Sequence, residues 1–559
     1  MKILILGGYG TFGGRLALLL AGEAGLTLLI AGRSVAKAEA FRRQLRGAAA
    51  SQALLFDRDG DVGTQLAAIR PDLVVDASGP FQAYGVDPYR VVKACIAAGS
   101  NYMDLADSPD FVWGIARFDA GARAAGLHVL SGVSSFPVLT AAVVRRLSRD
   151  MARVGSIRAG IAPSPYAGVG LNVIRAIAGY AGKAVTLRRH GSASQGNALT
   201  ETMRYTIAPP GRLPLRNIRF SLVDVPDLRL LPELWPELDS IWIGAGPVPE
   251  ILHRMLNGLA WLVRLRLLPS LSPLARLFHF VTSKLSRGEH RGGMFVEVRG
   301  SGGEGQDIER SWHLLAEGDD GPFIPSMAVE AIVRRALAGA SPAPGARAAV
   351  RELELEHYEV LFRNRTIHTG TREASNNNTR APLYQAMLGS AWTLLPENLR
   401  VMHDWGDGLK VTGRAEVERG THWLARCIAM LFGFPQPGKD VPVQVQFTRT
   451  AEGETWRRTF AGKSFSSHQS QGCGRWQGLL RERFGPFAMA LALVVRDQKL
   501  FLMVRRWSFF GLPLPAFCAP GGTTYETVED GRFHFHVEIR HPWIGLLVRY
   551  RGWLEAEPA

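Results

Sequence analysis

The chain has 559 residues, of which 47% are hydrophobic and 21% charged, and its formal net charge is +15. That length is too great for one hydrophobic core, so two or three globular domains are expected, and the composition excludes an intrinsically disordered chain. The basic excess suits anionic partners such as nucleotides or anionic lipid, but Lys and Arg are spread along the whole chain with no basic tail, which weighs against nucleic acid.

The first predicted element is a strand at Lys2 to Leu6. Its apolar run imitates a signal peptide, but glycines interrupt it at once and Arg15 splits the next apolar stretch, so a buried strand is the better reading. It leads into Gly7-Gly8-Tyr9-Gly10-Thr11-Phe12-Gly13-Gly14, in which Gly8, Gly10 and Gly13 have G-x-G-x-x-G spacing. A helix is predicted from Arg15 to Ala21. Strand, glycine turn and helix in that order form the phosphate-binding start of a Rossmann domain: one glycine makes the tight turn, the second lets backbone approach a pyrophosphate, and the third lets helix pack close on strand. Amides at the helix start, around Thr11 and Phe12, then face the phosphate charge.

The second strand, Leu26 to Ala31, is followed by Gly32-Arg33-Ser34. A site that prefers NAD usually carries an acid here for the ribose 2′-hydroxyl. Arg33 and Ser34 instead offer a charged fork and a hydroxyl to a 2′-phosphate, so the expected cofactor is NADP(H). Ala53 to Phe56 ends at Asp57, Leu73 to Asp76 runs into Ala77-Ser78-Gly79-Pro80-Phe81, a helix spans Tyr89 to Ala98, and Asn101 to Leu105 precedes Ala106-Asp107. Such alternation predicts a doubly wound parallel sheet that binds ligands outside its strand C-termini. Ser78, Gly79, Pro80, Phe81 and Asp104 are therefore expected beside the cofactor; Asp57 either approaches the adenine end or caps a surface turn.

The order GGYGTFGG, AGRS, VVDASGPF, VKACIAAGSNYMDLAD and SGVSSFPVLTAAVV closely resembles the saccharopine dehydrogenase-like family of NAD(P)-binding oxidoreductases. The resemblance continues through VIRAIAGYAGKAVTLRRHG, GGMFVEVRG and WHLLAEGDDGPFIPSMAVEAIV, and so covers roughly the first 360 residues. It implies a Rossmann domain over 1–130 and a substrate and association domain over 131–362. It does not choose a substrate, because the family's members perform different chemistry. No counterpart is evident for the cationic residues that hold the amino-acid substrate in the saccharopine enzymes, which argues against lysine metabolism.

Ile251 to Phe280 places Leu252, Met255, Leu256, Leu259 and Leu262 at helical spacing among arginines, with Pro269 and Pro273 dividing it. Two amphipathic helices over a core or a homodimer interface, or a helix lying peripherally on a membrane, fit equally well by periodicity. The polar stretch 363–380, with Ser-Asn-Asn-Asn at 375–378, is predicted to be a linker. Beyond it, 381–559 is read as a mainly antiparallel β domain resembling an uncharacterised bacterial domain fused behind such dehydrogenases. Its expected elements are a helix at Pro382 to Leu395, strands at Leu409 to Glu418, Val441 to Thr448, Thr455 to Phe460, Ala488 to Val495, Leu500 to Arg506 and Arg532 to Arg540, and a helix at Thr421 to Phe432. A half-barrel is expected, with an interior able to hold an apolar ligand. Ser464 to Gly474 reads as a polar loop, His403-Asp404-Trp405 as no acid–base pair, and His534 with His536 as surface residues rather than metal ligands.

Four distant cysteines, Cys95, Cys427, Cys473 and Cys518, form no CxxC pair, which opposes structural zinc and disulfides and fits the cytoplasm. No apolar stretch reaches membrane-spanning length. The chain is expected to be an NADP-dependent oxidoreductase acting on a C=N, C=C or C=O bond of a small, apolar molecule. The alternative is a non-catalytic nucleotide-binding protein that handles lipid at the inner membrane surface. Asp104, Asp107 and Tyr84 are candidate proton donors; Tyr166, Lys183 and His190 join them only if the second domain folds over the cleft.

Overall fold

The computed structural model describes residues 1–284, 288–374 and 381–556. These form two units: one of residues 1–203 and 218–368, and one of residues 204–217 and 369–559.

In the first unit, β1 (Lys2–Leu6), β2 (Thr27–Gly32), β3 (Ala50–Leu55), β4 (Leu73–Asp76), β5 (Asn101–Asp104) and β6 (His128–Ser131) alternate with helices, beginning with α1 (Thr11–Leu20) and α2 (Val35–Arg42). Ile3 to Ile5 have no solvent exposure because helices cover both faces of the sheet, which is why these strands read as unbroken apolar runs. β1 is flanked by β2 on one side and β4 on the other, with Leu6 opposite both Ala31 and Asp76. Strand order reverses there, so the ends of β1, β2, β4 and β5 open one crevice.

A second sheet is made by β7 (Arg153–Ala162), β10 (Thr202–Tyr205), β11 (Ile218–Leu222), β12 (Ser240–Ala245), β13 (Arg291–Ser301), β14 (Asp307–Glu317) and β16 (Ile367–Ala374), in the order 10-11-12-7-13-14-16. β8 (Ala184–Arg189) and β9 (Ser192–Asn197) form a separate hairpin. The first sheet does not end near residue 130. Gly345–Ala348, β15, returns to pair in parallel with β6 as its seventh strand. Four residues with no apolar alternation gave no signal for it.

The 251–280 segment is a pair of helices, Glu250–Arg264 and Ala275–Lys284. The leucines are half-buried, Leu256 and Leu259 packing against the core, and the most buried positions lie beside them. His253, Asn257, Ala260 and Val263 are buried, whereas Met255 and Trp261 are exposed. Polar residues can line this inner face because they bond one another's neighbours: His253 Nε2 lies 2.7 Å from Ser221 Oγ, and Asn257 Nδ2 donates to Ser221 Oγ and to the Leu199 carbonyl. No helix of the described residues is long and apolar enough to cross a membrane.

The second unit is an antiparallel barrel. Its strands are β17 (Gly408–Arg419), β18 (Gly438–Thr450), β19 (Gly453–Phe460), β20 (Lys463–Gln471), β21 (Leu480–Phe484), β22 (Phe487–Arg496), β23 (Lys499–Phe509), β24 (Leu512–Pro513), β25 (Tyr525–Glu529), β26 (Arg532–His541) and β27 (Gly545–Ala556). All the expected strands are present. The half-barrel closes, because β22 pairs with β23 as well as β21, leaving only the short β24 outside the ring. Closure removes the exposed edges that an open sheet would carry.

Ser464 to Gly474 is mostly strand β20 rather than loop. Its inward residues are polar, Ser467 and Gln469, so hydrophobic alternation could not reveal it. They meet Glu482, whose carboxylate accepts from Ser467 Oγ at 2.8 Å and Gln469 Nε2 at 3.0 Å. Tyr384 Oη bonds Gln469 Oε1, and the buried His403 lies 2.6 Å from Glu526. The Tyr384 and His403 rings stack with centroids 3.9 Å apart. Trp392, Leu399 and Trp405 are also packed against the strands in the barrel core. The expected helix at 382–395 is shorter, Leu383–Leu388 followed by a tighter 3₁₀ stretch at Gly389–Leu394. Part of the expected linker is β16, and residues 375–380 lie outside those described. Residues 204–217 also depart from the expected division at 381, since they group with the barrel.

Candidate functional site

The glycine turn is fixed by backbone contact. A Cβ on Gly13 would lie 2.4 Å from the Gly7 carbonyl oxygen, and one on Gly8 would lie 2.9 Å from that of Ile5. No side chain fits at either place, so the turn keeps α1 tight against the end of β1. Gly10 caps α1 without a side-chain hydrogen bond, and the first turn contains no acid. The amides around Thr11 to Gly13 thus head a helix whose positive end faces the crevice. This cradle fits a pyrophosphate.

At the end of β2 the structure supplies a residue that sequence reasoning missed. The Tyr9 ring lies over Gly32: a Cβ on Gly32 would approach it to 2.6 Å. Tyr9 Oη also accepts a hydrogen bond from the Ser34 amide at 3.2 Å. An Asp or Glu at position 32 would require this ring to shift. Arg33 beside it is exposed, and Ser34 begins α2, its Oγ accepting from the Lys37 amide. A strand end without an acid, flanked by an exposed guanidinium and a hydroxyl, fits a ribose 2′-phosphate better than a 2′-hydroxyl.

The β4 loop is organised by Asp76, which is fully buried. It accepts from the Ser78 amide and hydroxyl at 3.0 and 2.6 Å and from Tyr84 Oη at 3.2 Å. Burial raises its pKa, while Ser78, Arg58 and Tyr84 pull it back. Burial, with the Asp76 charge added, pushes the Tyr84 hydroxyl far above the usual phenol range, so Tyr84 is a poor acid at neutral pH. Arg58, also missed, lies 3.6 Å over the Tyr84 ring, and its buried Nη1 has no partner among the described residues. Asp57 accepts from the Asp59 amide at 3.1 Å, a local turn cap. Phe81 is buried against Tyr84 and Phe111, so this residue shapes the Gly79-Pro80 loop from beneath.

Asp104 corrects an expectation. It is wholly enclosed, and its Oδ1 accepts from Gly132 N at 2.8 Å, Ala106 N at 3.0 Å and Ser131 Oγ at 3.0 Å. Its geometry is that of a clasp joining the ends of β5 and β6, and in this conformation its side chain does not reach the open crevice. Burial pushes its pKa up to about 7, opposed by those three hydrogen bonds and reinforced by Asp76.

Part of the second domain does fold over the crevice. Arg15 Nη2 on α1 donates to the Ala167 carbonyl at 2.7 Å, and Asn172 Nδ2 donates to the Gly79 carbonyl at 3.0 Å. Asn172 starts the helix Leu171–Tyr180, whose far end brings Tyr180 into the electrostatic neighbourhood of Asp107 and Asp224. Asp107 accepts from Gln82 at 3.0 Å, and Asp107 and Asp224 are both only partly exposed. Burial, then the charges of Asp110 and Asp107, push Asp224 up to about 6. Burial, then the charges of Asp107 and Asp224, hold the Tyr180 proton far above neutrality. Asp107, hydrogen-bonded to Gln82, thus shares an electrostatic neighbourhood with Tyr180 and Asp224, while Asn172 near the start of the Tyr180 helix holds the Gly79 loop. Only Asp107 was legible in the sequence, because the others meet it through tertiary folding.

The other second-domain candidates have surroundings of their own. Tyr166 packs on His290 with ring centroids 4.7 Å apart. Lys183 is exposed, and His190 forms the β8–β9 turn with φ +50°. In the barrel, His534 sits 3.8 Å from Glu529, and His536 stacks on Tyr525.

Residues 3–125 match the family model described as the saccharopine dehydrogenase NADP binding domain, and residues 395–554 match a domain of unknown function, DUF4166. No curated protein matches the chain. Among solved structures, the apo saccharopine dehydrogenase (L-Glu forming) from Saccharomyces cerevisiae is 15% identical, with 67% of this chain and 100% of that chain covered and a TM-score of 0.46. A probable dehydrogenase from Thermotoga maritima is 11% identical over 64% of this chain and 93% of its own, with a TM-score of 0.32. A biliverdin reductase from Synechocystis, bound to biliverdin and NADP+, is 14% identical over 64% and 94%, with a TM-score of 0.28. The first 125 residues are therefore an NADP-binding domain of the saccharopine dehydrogenase kind, and the chain is an oxidoreductase that joins it to a DUF4166 barrel.

Proposed function

We propose that this oxidoreductase uses NADP(H) to reduce a C=N, C=C or C=O bond of a small molecule held between the Gly79 loop and the Leu171–Tyr180 helix. The observation that carries the cofactor preference is the exposed Arg33 at a strand end where Gly32, under the Tyr9 ring, offers no acid. The glycine turn and α1 hold the pyrophosphate, Arg33 and Ser34 hold the 2′-phosphate, and Asn172 fixes the Gly79 loop. The cofactor, when bound, supplies the hydride.

The protein then needs to position the acceptor and deliver a proton. Asp224 is the group suited to that delivery. Its pKa, pushed up to about 6, leaves a protonated fraction near neutrality, and Tyr180 beside it keeps its own proton to donate a hydrogen bond. Asp107 sustains this by repelling charge on Asp224 while Gln82 holds it in place.

A screen of NADPH oxidation against imines, enones and ketones would identify the acceptor class. With a substrate in hand, Asp224→Asn should lower kcat about 100-fold, the scale of a lost general acid, with NADPH affinity unchanged. The fall in kcat/KM as pH rises through about 6 should also disappear. Unchanged turnover with an unchanged pH profile would remove Asp224 from the mechanism.

A further inference from the structure

The antiparallel order sets one end of the barrel apart. The β17–β18 connection, the turns β19–β20, β21–β22 and β23–β24, and the β26–β27 turn all emerge there. This end is unusually apolar. The β17–β18 connection contains a helix, Trp423–Leu431, that buries Ala425 and Ala429 and turns Trp423 and Leu431 outward. Phe510 stands at the tip of the β23–β24 turn with φ +44°, and Leu512 comes just after it. Phe517 meets Trp543 of the β26–β27 turn, ring centroids 6.1 Å apart. These six side chains are between 68% and 81% exposed. They are not isolated: the rings of Phe432, Phe487, Phe509 and Phe510 make successive contacts at 5.4, 4.8 and 4.7 Å. Exposed apolar groups in one contiguous patch mark an interaction surface.

The charge around the patch identifies its partner. Segments 419–439, 460–465, 483–488, 505–520 and 540–546, which build this end, contain no Asp or Glu. Of their cations, Arg426, Lys439, Lys463 and Arg483 are exposed, whereas Arg419 donates to the Phe434 and Pro435 carbonyls and Arg540 lies 3.8 Å from Glu538. On β23, Arg506 lies opposite Ala490 on the outer wall, and the register shift beside it marks a bulge at Arg505. Arg506 belongs to an arginine group with Arg475, Arg204, Arg216 and Arg505, whose charges add to burial in lowering its pKa. Arg216, Arg475, Arg505 and Arg506 line one small cleft of about 10 Å³. Three to four strand residues separate Arg506 from the aromatic tip, which is about 10–13 Å. Arg506 thus stands behind the tip on the polar side of an interface that apolar groups enter by about 5–10 Å.

We propose that this end of the barrel docks on an anionic phospholipid surface, its aromatic and aliphatic tips entering the interface and its arginines meeting the lipid phosphates. Apolar bulk alone would also suit a protein partner. Tip loops that carry exposed cations and no acid, the nearest acids Glu418, Asp440 and Glu538 being ion-paired behind them, match an anionic bilayer.

The test is co-sedimentation of the full-length protein with phosphatidylcholine vesicles, with and without phosphatidylglycerol. The protein should bind the phosphatidylglycerol vesicles, release them as salt is raised, and bind pure phosphatidylcholine weakly. Phe510→Asp with Leu512→Asp should lower the bound fraction about tenfold, since each tip forfeits the burial of a large apolar side chain. Phe517→Ser with Trp543→Ser, on separate loops, should act in the same direction and guards against misfolding of one hairpin. An unchanged NADPH affinity and melting temperature establish that either variant is folded. Absence of vesicle binding by the wild-type protein, or binding indifferent to both variants, overturns the proposal. So does a dimer that both variants dissociate, because the face would then belong to a second copy of the chain.

Discussion

Asp104 shows how one residue can be central without touching substrate. Three hydrogen bonds converge on Oδ1, while the buried Oδ2 has no partner among the described residues. The cost of burying this charge exceeds what the hydrogen bonds return, so the folded-state pKa rises to about 7 from an ordinary 3.8. A carboxyl whose pKa is raised by folding stabilises the fold while protonated, and that contribution is lost as pH climbs towards 7. Asp104→Asn keeps the Oδ1 acceptor and removes the ionisation. The variant should therefore lose less melting temperature than the wild type between about pH 5 and about pH 8, as measured by thermal melts at both. Parallel losses in the two proteins would show that Asp104 is ionised in the fold throughout. The sequence could place Asp104 at a strand end but not reveal this, since enclosure depends on β6 arriving beside it. Gly8, Gly10 and Gly13 were legible because their need is local: backbone meets backbone at those points. Tyr9 was overlooked within the same motif, as its contact with Gly32 forms only once β1 and β2 pair.

At the scale of elements, the chemistry of the inward face explains part of what was legible, although β27 was missed despite turning Val548, Tyr550 and Leu554 inward. β17, β18 and β19 present Val411, Val445 and Trp456 to the barrel core and were readable from alternation. β20 presents Ser467 and Gln469, β25 presents Glu526, and neither announced itself. A buried polar row looks like a loop in sequence, because its partners come from other strands. The segment 204–217 is the element with most consequence for dissection. The Gly211 carbonyl accepts from the Val495 amide at 2.9 Å, the Pro214 carbonyl from Arg505 Nη2 at 3.1 Å, and Leu213 packs by Trp476 and Ala490. Truncation at residue 380 would strip this segment of those partners and expose its apolar side chains. A chain of residues 1–380 should therefore aggregate or melt well below the full-length protein by light scattering and calorimetry. A monodisperse fragment with the full-length melting temperature of its first unit would show that 204–217 folds without the barrel.

For the molecule as a whole, an NADP-binding domain and a closed barrel are encoded in one chain with a net charge of +15. The two proposals give the basic excess two uses: Arg33 for a nucleotide phosphate, and the arginines behind the barrel tip for lipid phosphates. The reaction depends on the first of these. Parallel calorimetric titrations of wild type and Arg33→Ala with NADPH and NADH test it most directly. The account predicts that the wild type binds NADPH more tightly than NADH. It also predicts that the variant loses roughly tenfold or more in NADPH affinity, the worth of a charge-assisted contact, while NADH binding barely changes. Equal affinities for the two cofactors, unaffected by removing Arg33, would contradict it.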